Sequence, residues 1–396
     1  MNVLFDSNVL GTQNHLLATS DGFTKVSKIP IEVWHYSGQL KNDSNKCWDT
    51  VLRLSKNIPV PSVPQEYRTM MSTLAPDLHS PPWSCLLPKS IYRRYFEDVM
   101  SLTGKVDPNA ISYYENVWVH GSSLLSRLKP TKVDGLRVES IVSDSVHNSQ
   151  VVSTFKPRTG GYAQPVVYDR FGTVTGRLTV ESGPNILLLK KEHRSILKSS
   201  FQGGSIVSLD FSSLEARILL YESGGTCDEQ DLYESIANRL GGIPRSVVKA
   251  AVLAELYGSS KNALALTLGM SHDSLMKFIN KVEEIINTKK LLSRLKQQFS
   301  ADGIITNRYG RKLEVSRPQD NIFINYYAQS TGVDVSLMGF NQVLNLLGTD
   351  GVRPLFVLHD ALILDVREDR MKDVENIMSL QVQGYSSKFP LKMEVL

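Results

Sequence analysis

The segment 207–221, VSLDFSSLEARILLY, changes its hydrophobic period at a carboxylate. Val207 and Leu209 alternate as in a half-buried strand, whereas the apolar residues from Leu214 to Tyr221 recur at helical spacing. An unpaired carboxylate such as Asp210 at the end of an apolar strand costs roughly several kcal/mol unless a cation or a donor meets it. The segment therefore predicts a strand that passes directly into a helix, with a partner for Asp210.

A local explanation exists for two other residues of this segment. Ser212 and Glu215 fit the capping box S-x-x-E, and an acidic side chain near a helix N-terminus is favoured by the helix dipole. This interpretation predicts a cap for the helix but gives Asp210 no role.

A second apolar segment, 354–366 (PLFVLHDALILDV), predicts a pair of strands and is interrupted by His359 and Asp360. Two carboxylates brought together repel each other unless a cation lies between them. A two-metal phosphoryl-transfer site uses such a pair, because Mg²⁺ prefers oxygen ligands and two ions stabilise both the attacking and the leaving oxygen. The two segments together suggest that Asp210 and Asp360 are metal ligands.

The segment 244–260, PRSVVKAAVLAELYGSS, lies between them and predicts a helix that begins after Pro244. Four of its residues fall at every fourth position and therefore share one helix face, namely Arg245, Lys249, Leu253 and Tyr257. Arginine and lysine on such a face can hold a triphosphate beside a stacked base. The alternative is an ordinary solvated basic edge.

The chain of 396 residues has room for two or three subdomains. Its net charge of +4 permits a polyanionic partner, and three cysteines without metal-ligand spacing argue against a disulfide framework or a zinc site. No secretory signal or membrane span is visible, so a cytoplasmic protein is expected. A helix-rich stretch, 226–300, separates two regions with strand patterns, which predicts an α+β plan.

In this order, the motifs resemble those of the family A DNA polymerases, the DNA polymerase I group. DFSSLEAR (210–217) is similar to motif A, D-Y-S-x-I-E-x-R, the basic helix to motif B, and HDA (359–361) to motif C, H-D-E. Four further segments match in family order: TVTGRLTVESGPNI (173–186), DLYESIAN (231–238), YGRKLEV (309–315) and NYYAQSTGVDV (325–335). The resemblance covers about 160–395.

The resemblance implies an α+β right-hand polymerase fold with an antiparallel palm sheet, helical fingers and a helical thumb. Residues 1–160 would hold the thumb and part of the palm, and 161–225 the palm with motif A. Residues 226–310 would form the fingers with motif B, and 311–396 the palm with motif C.

The resemblance also implies a role for each motif residue. Asp210 and Asp360 would bind two Mg²⁺ ions, for which Mn²⁺ would substitute, with the carbonyl of Phe211 as a further ligand. The nucleotide would be bound by Arg245, Lys249, Leu253, Tyr257 and Glu215, and Glu215 would exclude a ribose 2′-OH. The primer-template would be contacted by Arg177, Asn325, Gln329 and His359, and Gly258 would help to shape the nascent base-pair pocket.

The expected activity is template-directed extension of a DNA primer with dNTPs, with replication accessory proteins as further partners and no membrane. The compact size favours a phage or other mobile-element enzyme acting in a bacterial or phage-infected cell. Three residues depart from the family pattern: Ala361 replaces glutamate, Leu253 replaces phenylalanine or tyrosine, and Ser330 replaces glycine.

Residues 1–160 match no motif of the family and are too few for a 3′–5′ exonuclease domain as well, so no proofreading is expected. VLFDSNVL (3–10) is faintly similar to the opening of small nuclease domains, but an edge strand followed by a turn is the preferred interpretation.

Two alternatives remain. A single-subunit RNA polymerase shares the two aspartates and an R-x₃-K-x₇-Y-G helix, although Glu215 and the TVTGRL segment argue against it. A catalytically silent nucleic-acid-binding replication subunit is suggested by Ala361 and by the unmatched N-terminal region. A comparison of dNTP and rNTP extension distinguishes the first alternative, and primer extension that is lost on Asp360→Asn eliminates the second.

Overall fold

The computed structural model describes residues 2–30, 32–38, 46–56, 58–78, 81–144, 149–226, 231–257 and 260–396, without the side chains of Glu255 and Tyr257. The chain divides into two compact units. Unit 1 comprises Met1–Val119 with Gly310–Lys312, and unit 2 comprises His120–Tyr309 with Leu313–Leu396. Within the ranges given above, no helix is both long and apolar enough to cross a membrane.

Unit 1 combines a small sheet with short helices. Its strands are β1 (Val3–Phe5), β2 (His15–Thr19), β3 (Gly22–Val26) and β4 (Trp34–Tyr36). Its helices are α1 (Ser7–Leu10), α2 (Trp48–Ser55), α3 (Gln65–Leu74), α4 (Trp83–Leu86), α5 (Lys89–Lys105) and α6 (Pro108–Tyr113), followed by a π-helical turn, Tyr114–Trp118. Three of the six α-helices, α2, α3 and α4, lie within 38–90, a stretch whose prolines, serines and asparagines predict mostly loop with short elements.

The sheet of unit 1 has the order β3-β2-β1-β4, with β1 antiparallel to β2 and parallel to β4. The prediction of an edge strand for residues 3–5 is therefore wrong, because β1 has a partner on both sides. The carboxylate of Asp6, which follows β1, caps α1 by accepting a hydrogen bond from the Asn8 amide at 2.8 Å. It also lies 3.2 Å from Nε2 of the buried His35.

The elements of unit 2 follow in chain order. Its strands are β5 (Lys132–Val133), β6 (Val167–Asp169), β7 (Thr179–Ser182), β8 (Leu197–Lys198), β9 (Ser205–Phe211), β10 (Ile304–Thr306), β11 (Lys312–Glu314), β12 (Val352–Leu358), β13 (Ala361–Val366), β14 (Ser379–Leu380) and β15 (Phe389–Val395). Its helices are α7 (Val119–Ser126), α8 (Gly135–Asp144), α9 (Ser149–Ser153), α10 (Leu214–Glu222), α11 (Leu232–Arg239), α12 (Arg245–Tyr257), α13 (Lys261–Leu268), α14 (His272–Ile285), α15 (Lys289–Asp302), α16 (Asp320–Leu347) and α17 (Met371–Glu375).

The main sheet has five strands in the order β12-β13-β9-β15-β14. Neighbouring strands are antiparallel throughout, and β9 lies between β13 and β15. In this register Asp210 on β9 is opposite Ala361 on one side and opposite Lys392 on the other.

Both faces of this sheet are covered. On one face the ring of Phe211 packs against Phe340 of α16 and Phe389, with ring centroids 5.2 and 6.2 Å apart. On the other face an apolar cluster includes Phe155, Ile206, Phe356 and Ile363. Burial on both faces fixes the register, because a slip of one residue would exchange the two sets of side chains.

The α+β class predicted from the sequence is confirmed. The region 226–300 is helical from α11 to α15, and the segment 303–315 (GIITNRYGRKLEV), whose pattern predicts a hairpin, contains the paired strands β10 and β11. The pattern of 131–182 predicts short strands and turns, but this region also contains α8 and α9. The amphipathic pattern that begins at His272 is divided into α14 and α15, because α14 ends at Ile285 and α15 begins only at Lys289.

Candidate active site

The structure brings Asp210 and Asp360 together at one end of the main sheet. Asp210 is the penultimate residue of β9, and Asp360 lies in the tight turn between β12 and β13. The amide of Phe211 donates a hydrogen bond to the carbonyl of Asp360 at 3.0 Å, which ties the end of β9 to this turn. The two carboxylates are thus held by the backbone of the sheet.

Each aspartate is close to a residue with left-handed backbone geometry. His359, which precedes Asp360, has φ 56°, and Ser213, which follows β9, has φ 54°. Non-glycine residues in this conformation cost of the order of 1 kcal/mol each and persist only where the surrounding structure fixes them. The two sharp turns place both carboxylates at one end of the sheet, where Asp210 is still paired with its neighbouring strands and Asp360 lies in the turn just beyond the ladder.

Electrostatics at this rim disfavour ionised carboxylates in the absence of a cation. Burial raises the pKa of Asp210 to about 7, with a further contribution from the charge of Asp360, while Lys392 opposes the shift. Burial also raises the pKa of Asp360. A divalent cation between the two groups would remove this penalty, since an opposite charge favours the ionised form.

The donor set fits Mg²⁺. In the part of the chain that is described, no three His, Cys, Asp or Glu side chains cluster as a metal site. Mg²⁺ is commonly bound through one or two carboxylates, and its octahedron is completed by water and substrate phosphates. Asp210 and Asp360 supply such a pair. The Phe211 ring is buried away from them under α16, so only its backbone could serve as a ligand.

A cavity of about 280 Å³ opens beside Asp360 in unit 2. Six of the predicted site residues line it: Arg177, Glu215, Leu253, Gln329, His359 and Asp360. Burial lowers the pKa of His359, and the charge of Arg177 lowers it further, so the imidazole is neutral near pH 7.

Glu215 faces this cavity and is paired with Arg177 rather than serving in a capping box. The predicted cap is wrong, because the N-cap residue is Ser213, not Ser212, and its side chain makes no capping hydrogen bond. The Oε1 atom of Glu215 instead accepts a hydrogen bond from Nη2 of Arg177 at 2.9 Å. The carboxylate therefore points across the cavity instead of back along α10.

The predicted cations of α12 gather around a residue that the sequence did not identify, Tyr233 of α11. The guanidinium of Arg245 and the ammonium of Lys249 lie 5.6 and 6.0 Å from its ring centroid. Arg245 also forms an ion pair with Asp231 at 2.7 Å. Tyr233 is buried and lines the cavity. The sequence contained one indication of Tyr233: it is the third residue of DLYESIAN (231–238), a segment that resembles the family, at the position where the family has histidine.

The remaining predicted residues lie on α16 or at the end of α12. Asn325 donates a hydrogen bond to the carbonyl of Leu256 at 3.4 Å, and Gln329 accepts one from Thr175 at 3.5 Å. Gly258 and the side chain of Tyr257 lie outside the described residues.

The departure at Ser330 has a local explanation in this structure. The side-chain amide of Asn307 donates to Oγ of Ser330 at 3.0 Å and to Asp334 at 2.7 Å. All three residues are buried, so the serine belongs to a polar network inside unit 2. A glycine at position 330 would leave Asn307 with one partner fewer.

Comparisons with known proteins bear on the family and the fold of the chain. Residues 124–396 match the model of DNA polymerase family A. The chain is 24% identical over 302 residues to the thermostable DNA polymerase I of Thermus aquaticus, covering 68% of this chain and 34% of that protein. It is 24% identical over 283 residues to DNA polymerase I of Pseudomonas aeruginosa, covering 63% and 31%. The chain thus spans about a third of the length of these relatives.

Among solved structures, the chain is similar to the polymerase domain of Pol1 from M. smegmatis in complex with DNA primer-template and dNTP. The TM-score is 0.59 at 14% identity, and the match covers 97% of this chain and 92% of that chain. The likeness confirms the predicted right-hand polymerase fold. Together with the family match, which extends over more than half of the sequence, it shows that the chain belongs to DNA polymerase family A.

Proposed function

We propose that the chain is a template-directed DNA polymerase that extends a DNA primer with dNTPs by nucleotidyl transfer. The observation that carries this proposal is the pair Asp210 and Asp360 at the rim of the sheet, beside a cavity lined by Glu215 and Leu253. The family provides the reaction class, and the similar Pol1 domain was solved with primer-template and dNTP.

The two aspartates would hold two Mg²⁺ ions, with the Phe211 carbonyl as a further ligand. Such ions, when bound, would activate the primer 3′-OH and stabilise the leaving pyrophosphate. The contribution of the chain itself is geometric. The antiparallel ladders on both sides of β9 fix Asp210, and the Phe211 amide fixes the turn that carries Asp360.

The nucleotide would occupy the cavity. Arg245 and Lys249 would bind its triphosphate, while Leu253 and Tyr257 would contact the base or sugar. Glu215 would fill the space that a ribose 2′-OH needs. Because phosphoryl transfer depends mostly on positioning and charge stabilisation, the rigid side chains of this cavity would contribute to rate as well as to affinity.

The primer-template would lie along Arg177, Asn325, Gln329 and His359, with Gly258 near the nascent pair. Arg177 would exchange its ion pair with Glu215 for a contact to DNA. Binding would involve phosphates to a large extent and would therefore weaken with salt.

Primer extension by the purified chain tests the proposal. Wild type should extend a primed DNA template with dNTPs and Mg²⁺ and should use rNTPs much less efficiently. Asp360→Asn should abolish extension while leaving primer-template affinity within several-fold, because the carboxylate holds metal rather than duplex.

Asp273→Asn is the matched control. Asp273 is an exposed carboxylate in the first turn of α14, and its loss should leave the rate unchanged. Extension that persists in Asp360→Asn would remove the assignment. Equal use of rNTPs and dNTPs would favour an RNA polymerase, and no extension by wild type would favour a silent binding subunit.

We also propose that the chain acts without proofreading, together with replication accessory proteins, in the cytoplasm. The bacterial DNA polymerase I relatives support a bacterial cell as the setting. The expected phage or mobile-element origin and the boundaries 1–160, 161–225, 226–310 and 311–396 stay predictions.

A further inference from the structure

Two of the cations near the aspartates are already paired. Arg177 is bound to Glu215 at 2.9 Å, and Arg245 is bound to Asp231 at 2.7 Å. Both carry roles in the proposed function. Two other cations on the far side of Asp210 have no such role and no such partner.

Lys392 is the first of these cations. It lies directly opposite Asp210 in the antiparallel pair of β9 and β15. Directly opposed residues project from the same face of a sheet, so its ammonium and the Asp210 carboxylate are on one face. Lys392 is exposed, and among the described residues no carboxylate lies within 4 Å of it and no group accepts a hydrogen bond from it.

Arg194 is the second cation. Its Nε atom is buried and has no hydrogen-bond acceptor in the described part of the chain, and its guanidinium forms no ion pair there. An arginine nitrogen withdrawn from water without an acceptor costs free energy, which an arriving anion would recover.

A surface carboxylate, Glu394, shows that these cations lie close together. It forms an ion pair with Lys191 at 2.5 Å. Its pKa is lowered first by this bond to Lys191 and further by Lys392 and Arg194. Three cations thus surround one carboxylate, and two positive charges remain for an external anion.

We propose that Lys392 and Arg194 form a binding site for the phosphodiester backbone of the primer strand, close to its reacting 3′ end. The site lies on the β15 side of Asp210, whereas the nucleotide cavity lies on the Asp360 side and is lined by neither cation. This inference rests on the proposed polymerase function, because it takes the two aspartates as the point where the primer ends.

The distances favour a phosphate near the terminus. Neighbouring strands are about 4.8 Å apart, so Lys392 is about one strand spacing from Asp210. Successive nucleotides of one strand advance by about 3.4 Å along a DNA helix. The phosphate within reach of Lys392 is therefore one or two nucleotides from the 3′ end.

Equilibrium binding of a fluorescent primer-template in EDTA tests the site without catalysis. The variants are Lys392→Met, which keeps the length of the side chain, Arg194→Gln, and the double variant. Binding weakens with salt, so the slope of log K against log salt is negative. Each lost phosphate contact should make this slope shallower by about 0.9, and the double variant should make it shallower by about 1.8. We expect each single variant to bind about three- to tenfold more weakly at 0.15 M salt.

Lys372→Met is the matched control. Lys372 is an exposed lysine of α17, beyond the end of β13 that is remote from Asp360. Its loss removes one positive charge from unit 2 and should leave both slope and affinity unchanged. Equal losses in Lys372→Met and Lys392→Met would reduce the effect to net charge and overturn the site.

Neutral methylphosphonate linkages identify the strand. A methylphosphonate at one of the last three positions of the primer should weaken DNA binding by wild type. It should cause little further loss of binding in Lys392→Met. An effect confined to template linkages would overturn the proposal. An increase in KM for dNTP at unchanged DNA affinity would assign the cations to the triphosphate, and an altered Mg²⁺ requirement at unchanged DNA affinity would assign Lys392 to Asp210. Either result would also overturn it.

The outcome is independent of the extension assay. If wild type fails to extend primers but the variants lose salt slope as expected, the phosphate site stands and the proposed activity fails. If wild type extends primers and the variants bind as wild type does, the proposed activity stands and the site fails.

Discussion

At the scale of single residues, Asp210 contributes to stability in a direction set by its environment. Burial raises its pKa to about 7, above the value of about 3.9 in an unfolded chain. The folded protein therefore binds this proton more tightly. The stabilising contribution of Asp210 to the free energy of unfolding is fully present below about pH 4, falls between pH 4 and pH 7, and is lost above pH 7.

We expect Asp210→Asn to raise the melting temperature of the metal-free protein at pH 8, by roughly 3–6 °C, because the neutral amide removes this loss. The difference between variant and wild type should vanish near pH 4. Mg²⁺ should stabilise wild type at pH 8 but not the variant. Thermal melts in EDTA and in MgCl₂ across this pH range measure both effects, and a difference independent of pH would contradict the assignment.

Leu253 is the other residue whose replacement gives a specific expectation. It lines the cavity together with Glu215 and Tyr233. Leucine has no hydroxyl that could replace a missing sugar 3′-OH, and it is smaller than an aromatic ring and not planar. We expect strong discrimination against dideoxynucleotides, relaxed in Leu253→Tyr. Leu253→Phe should raise the incorporation rate without dideoxy acceptance, because a larger planar contact holds the nucleotide more firmly.

Chain-termination ratios for the three proteins measure this. Equal ratios for leucine, phenylalanine and tyrosine would mean that position 253 does not contact the nucleotide, and that the leucine serves only to fill space on an apolar helix face.

At the scale of elements, α16 lies close to β9 because of a glycine. A Cβ atom built on Gly339 would be 2.6 Å from Cζ of Phe211, whose ring is fixed between Phe340 and Phe389. Gly332 in the same helix has room, since its nearest neighbour would be 3.6 Å away. The two glycines therefore form a matched pair.

Gly339→Ala should destabilise the protein by about 1–2 kcal/mol, because overpacking of about 1–3 kcal/mol exceeds the gain of up to about 1 kcal/mol in helix propensity. Gly332→Ala should be neutral or stabilising by up to about 1 kcal/mol. Urea denaturation of both variants measures the difference. Similar free energies of unfolding for Gly339→Ala and Gly332→Ala would mean that the Phe211 ring can move. The end of β9 would then be held less firmly than the packing implies.

The sequence predicted single elements better than the contacts between them. Asp210 and Asp360 were predicted because each interrupts an apolar strand, which is a local signal. Lys392 was not, because its position opposite Asp210 depends on a strand register formed more than 180 residues away. The partner of Glu215 was predicted wrongly for a similar reason: a capping box is read from four residues, whereas Arg177 is 38 residues distant.

Helix α8 is a miss of another kind. Val138, Ile141 and Val142 recur at i, i+3 and i+4 and pack on one apolar cluster, so a helical pattern was present within 131–182 but was not recognised. Tyr233, Ser330 and Asp334 contribute to the site or to its support through partners on other elements. A local pattern carries no information about such partners.

At the scale of the whole chain, the faint similarity of residues 3–10 to small nuclease domains raises the question of nuclease activity, and Asp6 is the acid of that segment. Asp6 follows β1, caps α1 and is hydrogen-bonded to His35. Because no exonuclease motif is recognised in residues 1–160 either, we expect the chain of 396 residues to leave a mismatched, end-labelled primer intact when dNTPs are withheld. A ladder of shortened primer that appears with wild type, and also with Asp360→Asn, would reveal a nuclease site apart from the aspartate pair.

The central position of β9 also has a consequence for synthesis on the ribosome. β9 ends at Phe211, yet its ladder on one side is completed only by β15, which ends at Val395. At about 5–20 residues per second, roughly 10–40 s pass between the two. Over that interval one edge of β9 has no partner, while the helices from α10 to α15 can already form from local contacts. A nascent chain could therefore form α12, whose cations are proposed to bind the nucleotide, before the strand that flanks Asp210 has been made, and the surroundings of Asp210 would be completed only when β15 joins the sheet.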